Sequence, residues 1–230
     1  MRGTIDGYTI VSHPDISMWL RGTKRLRPPI KDIFPRWDLA LVVNALMESP
    51  FEPPGQASLE AWTKKTAFLL AITSASRSCE LQAMDIRQEL TVIKRKYVNL
   101  RLNPAFVPKV MKPEYFNRDI VIKAFHPDYD VSNHLERSWN SVCPVRALSI
   151  YLHKTKPLRK PNQFQLFVSY GKRTLGQPVT SQTIARWIVD TVSNAYLHFG
   201  KEIPQGIRAH STRAASTSLF VAAPGQCLCL

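Results

Sequence analysis

The sequence predicts a mainly α-helical domain with a small antiparallel β-sheet, an α+β class, and three observations carry that expectation. Apolar residues recur at helical spacing in several separate windows. Two short windows, Thr91 to Leu102 and Asp119 to Phe125, instead alternate or concentrate Val and Ile. The chain has 230 residues, 44% of them hydrophobic, enough for one sizeable core or for one domain with a short arm.

Residues 1–35 read as a basic arm or linker. They close on Arg21-Gly-Thr-Lys24-Arg25-Leu-Arg27-Pro28-Pro29-Ile-Lys31, where two prolines forbid a continuing helix. Such a like-charge run suits either a solvated surface or phosphate contact.

The main domain is expected over residues 36–220. Trp37, Leu41, Ala45 and the pair Leu46/Met47 predict an amphipathic helix, stopped by the turn-rich stretch from Ser49-Pro50 to Gly55. Ser58 supplies an N-cap for the next helix, whose stretch Ala67 to Ile72 is apolar on every face and belongs at the centre of the core. A short helix from Ser78 to Met84 follows.

Val98, Leu100 and Leu102 alternate with Asn99 and Arg101, which predicts one strand, and Asp119 to Phe125 predicts another. Cys143 to His153 is helical, with Pro144 tolerated in the first turn, and Gln165 to Ser169 is a candidate short strand. From Ser181, Ile184, Trp187, Ile188, Val192, Ala195, Tyr196 and Phe199 form a helical stripe ending at Gly200. A last helix is expected from Ser211 to Phe220, followed by a tail over 221–230.

Thirty-one Lys and Arg against seventeen Asp and Glu give a net charge of +14, so polyanions are the expected partners. The four cysteines, Cys79, Cys143, Cys227 and Cys229, have neither metal-ligand spacing nor the density of a disulfide scaffold. No apolar run approaches the ~20 residues that cross a bilayer, and the first ten residues lack a signal peptide's apolar stretch. A soluble intracellular protein with no membrane partner, no metal and no small-molecule cofactor is expected.

Metal-independent strand transfer at phosphate needs cations around the non-bridging oxygens, an in-line nucleophile and an acid for the leaving 5′-oxygen. Arginine suits the first task, because its planar fork donates two hydrogen bonds and stays charged. His210 and Arg213, in His210-Ser-Thr-Arg213, lie three residues apart on one face at the start of a helix, where the helix dipole also favours an anion. By itself an H-x-x-R tetrapeptide fits a capped helix with a surface pair equally well. Arg77 follows the most apolar helix and opens the next, with Glu80 three residues on, which fits either a helix ion pair or a phosphate site.

The two clusters together, Arg77 in A-S-R-S-C-E-L and His210 to Arg213 in R-A-H-S-T-R-A, resemble the two arginine boxes of tyrosine recombinases. The strings R-L-R-P-P, K-T-A-F-L-L-A-I-T-S-A, N-P-A-F-V-P-K-V, C-P-V-R-A-L and L-F-V-S-Y-G-K-R-T-L-G are similar, in this order, to the recombinases of DIRS/Ngaro-type retrotransposons. The likeness spans residues 19–218.

The resemblance implies a phage-integrase-like catalytic fold that integrates and recombines double-stranded DNA in the nucleus, alongside other recombinase protomers, with residues 1–35 as the end of an N-terminal DNA-binding domain. It assigns Arg77, His210 and Arg213 to the phosphate clamp and Lys109, between the two predicted strands, to the general acid, with Lys112 and Lys94 as rivals. Lys24, Arg25, Arg27, Lys31, Lys172 and Arg173 are expected DNA contacts.

The family's nucleophilic tyrosine lies beyond its second box. Here the residues after Ser218 run Leu-Phe-Val-Ala-Ala-Pro224-Gly-Gln-Cys-Leu-Cys-Leu230, without a tyrosine and without the preceding His or Trp. A truncated gene model, an altered splice or a decayed element copy would each give this ending. The chain is therefore expected to be inactive alone, and a non-enzymatic DNA-binding remnant or domesticated protein is the alternative.

Overall fold

A computed structural model describes residues 4–9, 12–26, 37–108, 118–125, 128, 130 and 132–222. The chain divides into two units, Met1–Ile33 and Phe34–Leu230. Among the described residues it is an α+β protein with eight α-helices and a three-stranded antiparallel sheet.

In the first unit, strands β1 (Thr4–Ile5) and β2 (Tyr8–Thr9) pair antiparallel around Asp6 and Gly7, both at positive φ, as a two-residue hairpin requires. Helix α1 (Pro14–Leu26) then opens with Pro14 and Asp15 in its first turn. Within the expected basic arm, Arg21, Lys24 and Arg25 stand on this helix, which ends at Leu26. A helix ordinarily ends at or before the residue that precedes a proline, so Pro28 forbids α1 from continuing through it without forbidding the helix upstream. Arg27 and Lys31 lie outside the described residues, as does the tail from 223.

In the second unit, α2 (Leu39–Leu46) is capped by Asp38, whose Oδ1 accepts from the Ala40 and Leu41 amides at 2.9 and 3.3 Å. The central element is α3 (Leu59–Ser74), capped by Ser58 Oγ, which accepts from Ala61 N at 3.1 Å. Every residue from Ala61 to Ile72 is buried, as the all-round apolar stretch predicts for its second half. The first half is buried despite its polarity. Thr63 and Thr66 return their hydroxyls to the Leu59 and Trp62 carbonyls, and Lys64 and Lys65 find carboxylates.

After α4 (Ser78–Ala83), the chain builds a sheet of β3 (Thr91–Ile93), β4 (Tyr97–Leu100) and β5 (Ile120–Lys123), in that order. The single strand expected over 91–102 is thus a hairpin turning at Lys94-Arg95-Lys96. Val98, Leu100 and Ile122 face the core, and β5 contacts both α3 and α6 (Pro144–Thr155).

Helix α5 (His134–Ser141) precedes α6 and was not anticipated, because its apolar side is only Leu135 and Trp139, of which Leu135 is exposed and neither is fully buried. Asn133 caps it, accepting from Leu135 N and Glu136 N. The expected strand at Gln165 to Ser169 is reduced to single bridges, Asp85 to Gln165 and Val168 to Pro178.

Helix α7 (Ser181–His198) buries Ile184, Trp187, Ile188, Val192, Ala195 and Tyr196 against α2, α3 and α4. It closes at Gly200, where φ is 62°. Gly200 N donates to Leu197 O and Lys201 N to Tyr196 O, the paired closing bonds that a left-handed residue permits. Helix α8 (Ser211–Ala222) packs on α3, so α3 is surrounded by α6, α7 and α8.

Candidate phosphate-binding site

The Arg77 cluster is made by a sharp exit from the buried helix. Beyond Ser74, Ala75 takes a left-handed conformation, φ 51° and ψ 27°, and Arg77 becomes the N-cap residue of α4 in extended conformation. Ser74 Oγ ties the corner by donating to Leu70 O at 2.6 Å and meeting Ser76 Oγ at 2.8 Å. The core helix therefore delivers Arg77 directly to the surface, where its side chain is 42% exposed.

Glu80 engages this residue twice. Its Oε2 accepts from Arg77 N at 2.7 Å, and its Oε1 lies 3.4 Å from Nη1. The backbone bond is short and the guanidinium bond long. Glu80 thus fixes the start of α4 while occupying one of the five N–H donors of the fork. The helix ion pair of the bland reading is present, and it leaves the planar fork able to take a second anion.

The second box divides into alternating roles. The middle residues are anchors: Ser211 Oγ accepts from Trp37 Nε1 at 2.7 Å and donates to Arg208 O, and Thr212, buried, donates to Ala209 O at 2.7 Å. The outer residues, His210 and Arg213, are exposed. The spacing of three sets both on the outer face of the opening turn of α8.

Trp37 joins the His210–Arg213 segment to α3, because its ring also packs edge-on against Phe68 at 5.9 Å between centroids. Phe68 lies six residues before Ser74, roughly 9 Å along the helix axis. The opening of α8 is therefore tied to the C-terminal half of α3, from which Ala75 and Ser76 lead to Arg77.

Lys109 and its rival Lys112 lie outside the described residues. The other rival, Lys94, is exposed at the β3–β4 turn, where its amide donates to Tyr97 O at 2.8 Å. Lys172 and Arg173 are exposed at the tip of a tight turn in which Ser169 N donates to Gln177 O and Gly176 N to Ser169 O. Arg25 is exposed on α1, which also carries Lys24.

Sequence reading missed the cations that the fold buries. Lys65 Nζ donates to Glu52 Oε1 at 2.6 Å and to Leu46 O at 2.8 Å, and Arg146 grips both oxygens of the same carboxylate at 2.8 and 3.2 Å. Burial outweighs Glu52 and pushes Lys65 down to about 8. Arg159 donates to the carbonyls of Gln165 and Leu166, both at 2.6 Å, and burial holds it below its usual range. The string C-P-V-R-A-L displays Arg146 but says nothing of Glu52, ninety-four positions earlier.

Three tyrosines are built into the structure. Tyr151 is fully buried, its oxygen accepts from Val168 N at 2.9 Å, and burial pushes it up to about 12. Tyr196 is 8% exposed and accepts from Asp38 N at 2.7 Å. Tyr170 stacks on Trp187, and burial raises it above its ordinary value. Among the described residues no three His, Cys, Asp or Glu side chains gather closely enough to hold a metal ion, and no helix is long and apolar enough to cross a membrane. No family model matches the chain, and no curated protein matches it.

Proposed function

We propose that this chain is the catalytic-type domain of a tyrosine recombinase of a DIRS/Ngaro-type retrotransposon, a nuclear protein that binds double-stranded DNA with other protomers. The observation that carries the reading is the placement of both arginine boxes. Arg77 leaves the central helix at one corner, and His210 and Arg213 open the helix that Trp37 fastens to that same helix.

In this reading Arg77 and Arg213 neutralise the non-bridging oxygens of one phosphate, and His210 donates a further hydrogen bond. A tyrosine hydroxyl attacks phosphorus in line, a 3′-phosphotyrosine forms, and Lys109 protonates the departing 5′-oxygen. Within residues 1–230 all seven tyrosines precede His210. The nucleophile must then come from another chain or from sequence beyond these residues.

That same observation favours a second reading, a DNA-binding protein without strand-transfer chemistry. Both readings expect duplex affinity that falls steeply between ~50 and ~200 mM salt with little sequence preference. Arg77→Ala together with Arg213→Ala should flatten that slope by about two counterions. A salt-independent affinity would exclude both readings. Mixing the chain with a recombinase that supplies a tyrosine in trans separates them, since only the first expects a covalent product that disappears with Arg213→Ala.

A further inference from the structure

We infer that a second cleft, at the far end of α4 from Arg77, binds an unpaired nucleobase. It is an open space of about 310 Å³ between the end of α4, the Asp85 to Arg87 turn and the loops at Asn103 and Asn162 to Gln165. That volume is at the small end of ligand sites, ~300–1,000 Å³.

Its walls are fixed by backbone bonds from three directions: Ile86 N to Phe164 O at 2.8 Å, Leu166 N to Met84 O at 2.8 Å, and Asn103 N to Ala83 O at 2.7 Å. The buried carboxylate of Asp85 holds Arg87 flat through Nε and Nη2 and takes Asn103 Nδ2 at 3.1 Å. Arg87 in turn lies over the Phe164 ring, 5.5 Å from its centroid. Phe164 is nevertheless 39% exposed, an aromatic surface left open beside a guanidinium plane.

The hydrogen-bonding groups at the edge are oriented by internal bonds. Gln82 Oε1 accepts from Ser181 N at 3.1 Å, which leaves its NH2 as a spare donor. Gln165 Nε2 donates to Val179 O at 2.7 Å, which leaves its Oε1 as a spare acceptor. No hydrogen bond engages the Asn162 amide among the described residues, and it completes the rim. An aromatic face flanked by a fixed donor and a fixed acceptor complements a flat ring with both functions on its edge, which describes a purine or pyrimidine.

The charges of Asp85 and Arg87 cancel, so the cleft selects for stacking and amide pairing rather than for a free anion. Its position favours a base within a strand. Six residues of α4 separate it from Arg77, roughly 9 Å, about two or three steps of a DNA strand at ~3.4 Å each. The source of the base rests on the nucleic-acid reading above, whereas the recognition chemistry rests on the cleft alone.

Two arms of one experiment test this on the full chain. Adenosine, guanosine, cytidine and thymidine are titrated singly while the Phe164 ring and the Gln82 and Gln165 side-chain amides are followed by NMR. Duplex DNA with one unpaired base is compared with its fully paired counterpart. We expect saturable shifts at these groups for at least one nucleoside, and roughly tenfold tighter binding of the unpaired-base duplex. Phe164→Leu should remove that preference and Phe164→Tyr retain it, both leaving affinity for the paired duplex unchanged. Nucleoside shifts without any duplex binding would refute the DNA reading yet support the cleft, with free nucleosides as its source. Absence of shifts with every nucleoside, or a preference that survives Phe164→Leu, would overturn the proposal.

Discussion

Two backbone positions at positive φ, Ala75 and Gly176, set the local geometry around the candidate DNA contacts. Ala75 tolerates φ 51° at the cost a Cβ imposes in the left-handed region, roughly 1 kcal/mol. Ala75→Gly should therefore stabilise the fold by about 1 kcal/mol, seen as a higher urea midpoint at unchanged m-value. Gly176 is the opposite case. A Cβ there would sit 2.1 Å from Leu158 O, a backbone atom with little room to move, at φ 74°. Gly176→Ala should destabilise by more than about 2 kcal/mol in the same measurement. At this scale the buried charges also give a pH dependence. Lys65 is lowered from 10.5 to about 8, so between those values the unfolded chain holds a proton that the folded chain has released. Stability should rise as pH climbs through that window, and Lys65→Met should remove that rise. An unchanged slope in urea titrations of the variant would count against this assignment.

Helices were legible in the sequence where burial is strong and caps are explicit. Ser58 and Gly200 bracket α3 and α7 because one supplies a side-chain acceptor and the other a left-handed residue, both visible as residue types. The β3–β4 hairpin escaped because its turn is Lys94-Arg95-Lys96, with no Gly, Asn or Pro to announce it. Helix α5 offered only Asn133 with Glu136 three residues on, a capping pattern without an apolar run behind it. In the candidate site, the chemistry of Arg77, His210 and Arg213 was readable as residue type and spacing. The anchoring of Ser211 by Trp37 was not, since the partners stand 174 positions apart. This bond makes an element-level prediction. Trp37→Phe keeps the ring against Phe68 but removes the donor to Ser211, so the fold should lose about 1 kcal/mol. Duplex affinity should fall further than stability alone explains, because the opening turn of α8 is released; equal affinity in folded variant and parent would separate Trp37 from the site.

For the whole molecule, the net charge of +14 and the exposed cations of two separate loops and α1 suit the proposed attraction to DNA but supply no nucleophile. Covalent chemistry would have to come from one of the seven tyrosines, and the fold argues against the ones it holds most firmly. Tyr151 and Tyr196 are buried with their oxygens accepting backbone N–H groups, and ionising either would place a charge inside the core. Tyr170 is packed on Trp187 with its ionised form disfavoured. Tyr8 and Tyr97 are exposed, Tyr8 with its ring edge-on to His13, and both lie upstream of His210; Tyr115 and Tyr129 lie outside the described residues. Ser211 already donates its proton to Arg208 O, which leaves that hydroxyl without a route to general-base activation. The expected outcome is that the chain alone, incubated with a duplex nicked near a terminal repeat, gives no denaturation-resistant protein–DNA band at salt low enough for full binding. A band that vanishes on replacing one of the seven tyrosines with Phe would identify a nucleophile upstream of the second arginine box and make this chain an active strand transferase by itself.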